Sequence, residues 1–129
     1  MDAKTPIKIV LGITVVVMLF HLCIILRIIP YEITWGGRLK NESEMYAFET
    51  VSIIINLFLG LILLIKAGYL KPFIPLKIVN MILWAFFGLF ALNTIGNLLA
   101  KTIFEKFLAI LTLTLSVLIW KILVKRKEP

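Results

Sequence analysis

The chain has 129 residues, of which 61% are hydrophobic and 16% are charged, and its formal net charge is +7. A water-soluble domain of this length needs more polar surface than this composition supplies, which excludes a soluble fold. The basic residues lie mostly singly at the ends of apolar runs, where they anchor helices at a membrane surface. They do not cluster on one polar face with aromatic residues between them, so we expect no nucleic-acid partner.

The chain contains one cysteine, Cys23, and one histidine, His21. A single cysteine cannot form an intrachain disulfide, and one cysteine with one histidine lacks the spacing of a metal-ligand set. The sequence therefore predicts neither a metal site nor a cofactor.

The first apolar run predicts a transmembrane helix over about residues 7–29. Lys4 and Lys8 precede this run as in a signal peptide, but its length and the lack of a small-residue cleavage site indicate a retained helix. Pro30 should end the helix, because the residue before a proline is pushed out of the α region. A polar outer loop follows over residues 30–45, and its Asn41-Glu42-Ser43 matches the N-glycosylation acceptor of eukaryotic secreted proteins.

Three further apolar runs predict helix 2 over about residues 46–66, helix 3 over about 76–96 and helix 4 over about 107–124. Gly68, Pro72 and Pro75 make a compact turn between helices 2 and 3. The more polar stretch from Asn93 to Phe107 is interpreted as a turn and a short interfacial amphipathic segment before helix 4. The prediction is an all-α integral membrane four-helix bundle of two hairpins, with residues 1–129 forming one domain.

The distribution of positive charge predicts the orientation of the chain. With four spans, both termini and the turn between helices 2 and 3 share one side, which carries Lys4, Lys8, Lys66, Lys71, Lys77, Lys121, Lys125, Arg126 and Lys127. The other side carries Arg27, Arg38, Lys40, Lys101 and Lys106. This bias favours cytoplasmic termini and an extracytoplasmic first loop, in a bacterial inner membrane or a plasma membrane.

Helix 2 carries a polar stripe. Glu49, Ser52, Asn56 and Gly60 are spaced by three, four and four residues, which places them on one helical face. A polar group stranded in hydrocarbon costs several kcal/mol, so this face should contact protein or a water-filled cavity. At a rise of about 1.5 Å per residue, an antiparallel hairpin places His21 level with Ser52 and Asn56. The same estimate brings Arg27 and Glu49 together near the outer surface.

His21 and Glu49 each have two interpretations. His21 either packs as a neutral hydrogen-bonding group between helices or serves as a proton relay or ligand contact, since an unperturbed imidazole titrates near neutral pH. Glu49 is either the wet N-terminal residue of helix 2, favoured by the helix dipole, or a buried carboxylate. In the second case its partner would be Arg27, Arg38 or Lys101.

Two other features complete the candidate site. If helical, Asn93, Asn97, Lys101 and Glu105 form one ridge, which is either a solvated face or part of an outward-facing polar site. Trp84 either packs in the core beside Gly88 or stacks on a flat ligand such as a quinone or sterol. The candidate ligand-binding residues are His21, Arg27, Arg38, Glu49, Ser52, Asn56, Trp84, Asn93, Asn97, Lys101 and Glu105.

No residue pattern in the chain matches a catalytic signature, so the sequence favours a non-enzymatic role as a scaffold, accessory subunit or ligand-binding module. The expected partners are membrane lipids, a lipid-like or small polar ligand, and a second copy or a membrane partner protein. One alternative is an oligomeric carrier or channel that uses the polar stripe of helix 2. The other is an intramembrane enzyme acting on a lipid or quinone, with His21 and Glu49 as acid and base at an expected axial separation of about 8 Å.

Overall fold

The computed structural model describes residues 4–34, 39–100 and 102–124, and within these ranges it contains helices and no strand. The α-helices are α1 (Thr5–Ile25), α2 (Glu42–Ala67), α3 (Leu76–Leu98) and α4 (Ile103–Val124), with one turn of 3₁₀ helix (Tyr31–Ile33) after α1. Each α-helix is long and apolar enough to cross a membrane. The predicted all-α membrane fold with four spanning helices is confirmed.

The helices form a ring in which α1 packs on α2, α2 on α3, α3 on α4 and α4 on α1. At one end, which we call the terminus end, Lys66 Nζ at the end of α2 donates to Asn80 Oδ1 near the start of α3, at 2.7 Å. At the same end, Lys4 Nζ lies 4.9 Å from the ring centroid of Tyr69. The opposite end carries the α1–α2 connection and the α3–α4 turn, and we call it the first-loop end.

Helix α1 ends at Ile25, four residues before the position that Pro30 predicted. Arg27 adopts a left-handed backbone with φ of +63°. Its N–H donates to the Ile24 carbonyl at 3.0 Å, and the N–H of Ile28 donates to the Cys23 carbonyl at 2.9 Å. This pair of hydrogen bonds satisfies the last carbonyls of the helix and stops it before the proline acts.

Helix α2 ends in the same way, but with the residue that such a turn favours. Gly68 has φ of +86°. Its N–H donates to the Ile65 carbonyl at 3.1 Å, and the Tyr69 N–H donates to the Leu64 carbonyl at 2.9 Å. Glycine reaches this conformation without steric cost, whereas an arginine at the equivalent position of α1 is strained.

Helix α2 begins at Glu42 rather than near Tyr46 as predicted. Asn41 caps it, because its side-chain Oδ1 accepts a hydrogen bond from the N–H of Glu44 at 2.9 Å. The carboxylate of Glu44 in turn accepts from the Lys40 N–H at 3.2 Å. These contacts satisfy N–H groups that have no partner within the helix, so the helix extends beyond the apolar run.

The predicted interfacial segment before helix 4 does not form a separate element. Helix α3 continues to Leu98, and α4 begins at Ile103. Thr102 starts α4, since its Oγ1 accepts from the Glu105 N–H at 3.1 Å and lies 3.0 Å from Glu105 Oε1. This side-chain cap begins a new helix and divides the predicted ridge between α3 and α4.

The two halves of the bundle differ in packing. In the terminus half and the middle, buried side chains of all four helices form one core, which includes Ile7, Val10, Leu59, Ile62, Leu63, Val79, Leu83, Phe86, Leu115, Ile119 and Ile122. Near the first-loop end a second, smaller cluster consists of Ile24, Leu39 and Met45. Close packing, rather than release of water, holds helices together in lipid, so the packed half provides most of that association.

Candidate binding cavity

A cavity of about 640 Å³ lies in the first-loop half of the bundle, and all four helices contribute to its lining. Sites for small ligands commonly have volumes of roughly 300–1,000 Å³. The described polar residues that line it are His21, Thr34, Glu49, Ser52, Asn56, Asn93, Asn97, Glu105 and Thr112. The remaining lining residues are aliphatic or phenylalanine, so polar groups are arranged within an otherwise apolar space.

The clearest polar contact in the cavity joins α1 to α2. His21 Nδ1 is hydrogen-bonded to Glu49 Oε2, and the Glu49 side chain is 0% exposed. The interpretation of Glu49 as a wet residue at the start of helix 2 is therefore wrong, because α2 begins two turns earlier. The expected axial separation of these two side chains is also wrong. Since α1 ends earlier and α2 begins earlier than predicted, the two helices pair in a different register.

The same change of register moves Arg27 away from Glu49. Arg27 forms an ion pair with Glu42 at the first-loop end, and both side chains are exposed. A hydrogen bond with Tyr46, together with the nearby Glu42 carboxylate, raises the pKa of Arg27. Arg27 does not line the cavity. Its ion pair with Glu42 lies at the first-loop end instead.

The next two members of the helix 2 stripe also line the cavity. Ser52 Oγ donates to the Phe48 carbonyl at 2.9 Å, and Asn56 Nδ2 donates to the Ser52 carbonyl at 2.8 Å. Each side chain thus donates a hydrogen bond to a backbone carbonyl of its own helix, as polar residues in apolar helices commonly do. The acceptor oxygens of both side chains keep lone pairs for further hydrogen bonds.

Helices α3 and α4 supply the opposite wall. Asn93 is exposed and Asn97 is half-buried, and both line the cavity from α3. Glu105 lines it from α4, is 3% exposed and accepts a hydrogen bond from Thr102. Although the predicted ridge is broken at the α3–α4 turn, its described members still converge on one space.

One side of the cavity is open between α2 and α3. One side of α2 carries Val51, Ile55, Ile62 and Lys66, because these residues are spaced by four, seven and four. This side faces α3, since Lys66 hydrogen-bonds to Asn80 of α3. Ile62 is 1% exposed, but Val51 is 54% exposed and Ile55 39%. The two helices therefore separate toward the first-loop end.

The matching side of α3 shows the same change. Leu83, Phe86, Phe90 and Asn93 are spaced by three, four and three residues and share one face. The first three are buried, whereas Asn93 is exposed. The loss of burial occurs at the level where α2 also becomes exposed, so the opening is a lateral gap that leads from the surface of the bundle into the cavity.

The sequence-predicted site residues divide into three groups. His21, Glu49, Ser52, Asn56, Asn93, Asn97 and Glu105 line the cavity. Arg27 and Trp84 do not line the cavity. Trp84 is 44% exposed, and its ring packs edge-on against the ring of Phe87 with 5.6 Å between the centroids. Arg38 and Lys101 lie outside the described residues.

Two polar lining residues were not predicted from the sequence. Thr112 lines the cavity from α4, and its hydroxyl lies 2.9 Å from that of Thr94 on α3. Thr112 follows Glu105 by seven residues, so helical periodicity could have placed both on one face. Thr34 also lines the cavity but lies in the α1–α2 connection, where no periodicity identifies it.

Among the described residues no group of three or more histidine, cysteine, aspartate or glutamate side chains is placed to hold a metal ion. Comparison of the chain with family models, curated proteins and solved structures finds no match. The function of the chain must therefore be inferred from the cavity itself.

Proposed function

We propose that this membrane protein is a ligand-binding module that holds one small amphiphilic molecule in the cavity of its first-loop half. The observation that carries the proposal is the contrast between the two halves of one bundle. The terminus half is packed, whereas the first-loop half keeps a cavity of about 640 Å³ with polar side chains from all four helices.

The free-energy cost of keeping a cavity within the bundle supports this proposal. Side chains that line an unfilled space lose dispersion contacts, and polar groups within a membrane bundle are expensive unless they are hydrogen-bonded. A bundle selected only for stability as a scaffold would fill this half with apolar side chains, as it does in the other half. A bound molecule with an apolar body would restore the dispersion contacts, whereas the described buried polar side chains already have hydrogen-bond partners.

We further propose that both termini are cytoplasmic, so that the cavity lies in the outer half of a bacterial inner membrane or a plasma membrane. The support is the excess of basic residues at the terminus end. Lys66, Lys71 and Lys77 lie close together along the chain around the α2–α3 turn. Basic residues near membrane helices favour the cytoplasmic side.

A second candidate is an intramembrane enzyme that acts on a lipid or quinone. The contact of His21 with Glu49 favours it, because a carboxylate that orients an imidazole is a common arrangement for acid–base catalysis. A carrier receives less support from this single chain. Beyond Asn56 and Thr112, the described interior of the bundle is mainly apolar and packed.

Native mass spectrometry of the protein released from lipid nanodiscs tests the binding function. Leu111 lines the cavity, whereas Leu113 on the same helix is exposed and does not. We expect the wild type and Leu113→Trp to retain one small molecule per chain, and Leu111→Trp to lose it because the indole fills the cavity. Equal retention by the two variants, or a wild-type protein without any adduct, would contradict the proposal.

A further inference from the structure

The lateral gap between α2 and α3 gives the cavity a direct connection to lipid. The cavity-lining side chains Phe48, Val51 and Ile55 on α2 and Leu89 on α3 are apolar and exposed. Such walls suit an acyl chain, which can lie partly between the helices and partly in the surrounding bilayer. A molecule that enters here does not have to cross water.

The polar side chains of this gap lie near the end of the spanning segment. Asn93 and Asn97 precede Leu98, the last residue of α3, by five residues and one residue, or roughly 8 and 2 Å along the axis. This is the depth at which the heads of membrane amphiphiles meet the hydrocarbon. A head can therefore reach the two amides while its chain stays in the apolar part of the gap.

The charged groups of the cavity are already engaged. Glu49 is hydrogen-bonded to His21, and Glu105 accepts from Thr102. Among the described lining residues, an anionic head would meet two acidic side chains. A cationic head would lose hydration to approach acidic groups that already accept hydrogen bonds, and this loss can exceed the Coulombic gain. Amide and hydroxyl groups, in contrast, both donate and accept, and they match hydroxyl and ester groups of a neutral head.

From these observations we infer that the ligand is an uncharged, single-chain lipid with a hydroxyl-bearing head, which enters sideways between α2 and α3. The inference rests on the proposed binding function and adds the class of ligand and its route. Asn93 and Asn97 bind the head, and Val51 and Ile55 contact the chain.

The class of head is tested by titrating the full-length protein in detergent with monolauroylglycerol, lauric acid and dodecylamine, which share one chain length, and measuring occupancy by native mass spectrometry. We expect monolauroylglycerol to bind at least 10-fold more tightly than either charged probe. Tighter or equal binding of the acid or the amine would overturn the inferred head class and leave the binding function standing. Binding of none of the three would overturn the inferred ligand class, and the binding function would still stand or fall by the molecule that the wild type retains.

The contacts and the route are tested with matched variants. Ile55→Trp narrows the gap, whereas Ile54→Trp changes an exposed residue that does not line the cavity. We expect Ile55→Trp to weaken binding of monolauroylglycerol at least 10-fold, and Ile54→Trp to change it less than 2-fold. Asn97→Leu should reduce the preference for monolauroylglycerol over dodecylamine. Equal affinity of the two tryptophan variants would overturn the lateral route, and an unchanged preference in Asn97→Leu would overturn the role of the amide.

Discussion

His21 on α1 and Glu49 on α2 are hydrogen-bonded to each other at the wall of the cavity. The Glu49 carboxylate is fully buried, and the imidazole is its partner on the neighbouring helix. A buried hydrogen-bonding group that loses its partner costs roughly 1–3 kcal/mol. The pair is therefore a structural contact between α1 and α2 at the wall of the cavity.

Removing the imidazole should destabilise the bundle. We expect His21→Ala to lower the free energy of unfolding by on the order of 2 kcal/mol, because Glu49 stays buried after losing this hydrogen bond. The measurement is unfolding in detergent micelles, with Leu22→Ala at an exposed neighbouring position as the control. Combining His21→Ala with Glu49→Gln should recover part of the loss, since the double variant buries no acidic side chain that has lost its imidazole partner. A His21→Ala protein no less stable than Leu22→Ala would show that the contact contributes little.

The end of α1 provides a prediction about backbone strain. Arg27 has the left-handed conformation that Gly68 has at the end of α2. Arg27→Gly and Arg27→Ala both remove the ion pair with Glu42, but only glycine relieves the strain. We expect the glycine variant to be more stable than the alanine variant by about 1 kcal/mol. Equal stabilities in thermal unfolding would mean that the turn tolerates a side chain without strain.

At Gly68 glycine is already present in the left-handed conformation, so we expect its replacement by alanine to lower the stability. An added Cβ would meet no atom within 4 Å, so the cost of substitution is conformational rather than steric. Gly68→Ala should destabilise the protein by about 1 kcal/mol. Gly12→Ala, inside α1 and also without a neighbour within 4 Å, is the control and should be neutral or stabilising. A loss of stability in Gly12→Ala similar to that in Gly68→Ala would contradict this explanation.

The start of α4 depends on one hydroxyl group. Thr102→Val keeps the shape of the side chain but removes the group that accepts from the Glu105 N–H. We expect a loss of about 1 kcal/mol and faster amide hydrogen exchange in the first turn of α4. Thr102→Ser keeps the hydroxyl and should behave as the wild type. If Thr102→Val does not alter exchange in this turn, the cap does not determine where the helix begins.

The length and composition of the apolar runs were enough to predict four spanning helices, because nearly every residue facing lipid must be apolar. The ends of α1 and α2 were not predictable in the same way. Asn41 extends α2 beyond its apolar run, and Arg27 adopts a conformation that sequence rules assign to glycine. Each shift is about one turn, and together they change which residues of α1 and α2 meet.

The candidate site was likewise predictable from the sequence only in part. Helical spacing correctly grouped Glu49, Ser52 and Asn56 on one face, and all three line the cavity. Spacing could not tell that Glu49 pairs with His21, because that pairing depends on the register between helices. Nor could it predict the gap, which arises because α2 and α3 separate toward one end. Separation of helices is a tertiary property that no single apolar run records.

The orientation of the chain is tested by labelling cysteines with a membrane-impermeant maleimide in intact cells, in a Cys23→Ser background. Ser43 is exposed at the first-loop end, and Phe73 is exposed in the α2–α3 turn at the terminus end. Because basic residues concentrate at the terminus end, we expect Ser43→Cys to react in intact cells and Phe73→Cys to react only after the membrane is opened. The reverse pattern would place the first-loop end in the cytoplasm, and the cavity and its lateral gap would then open to the inner leaflet.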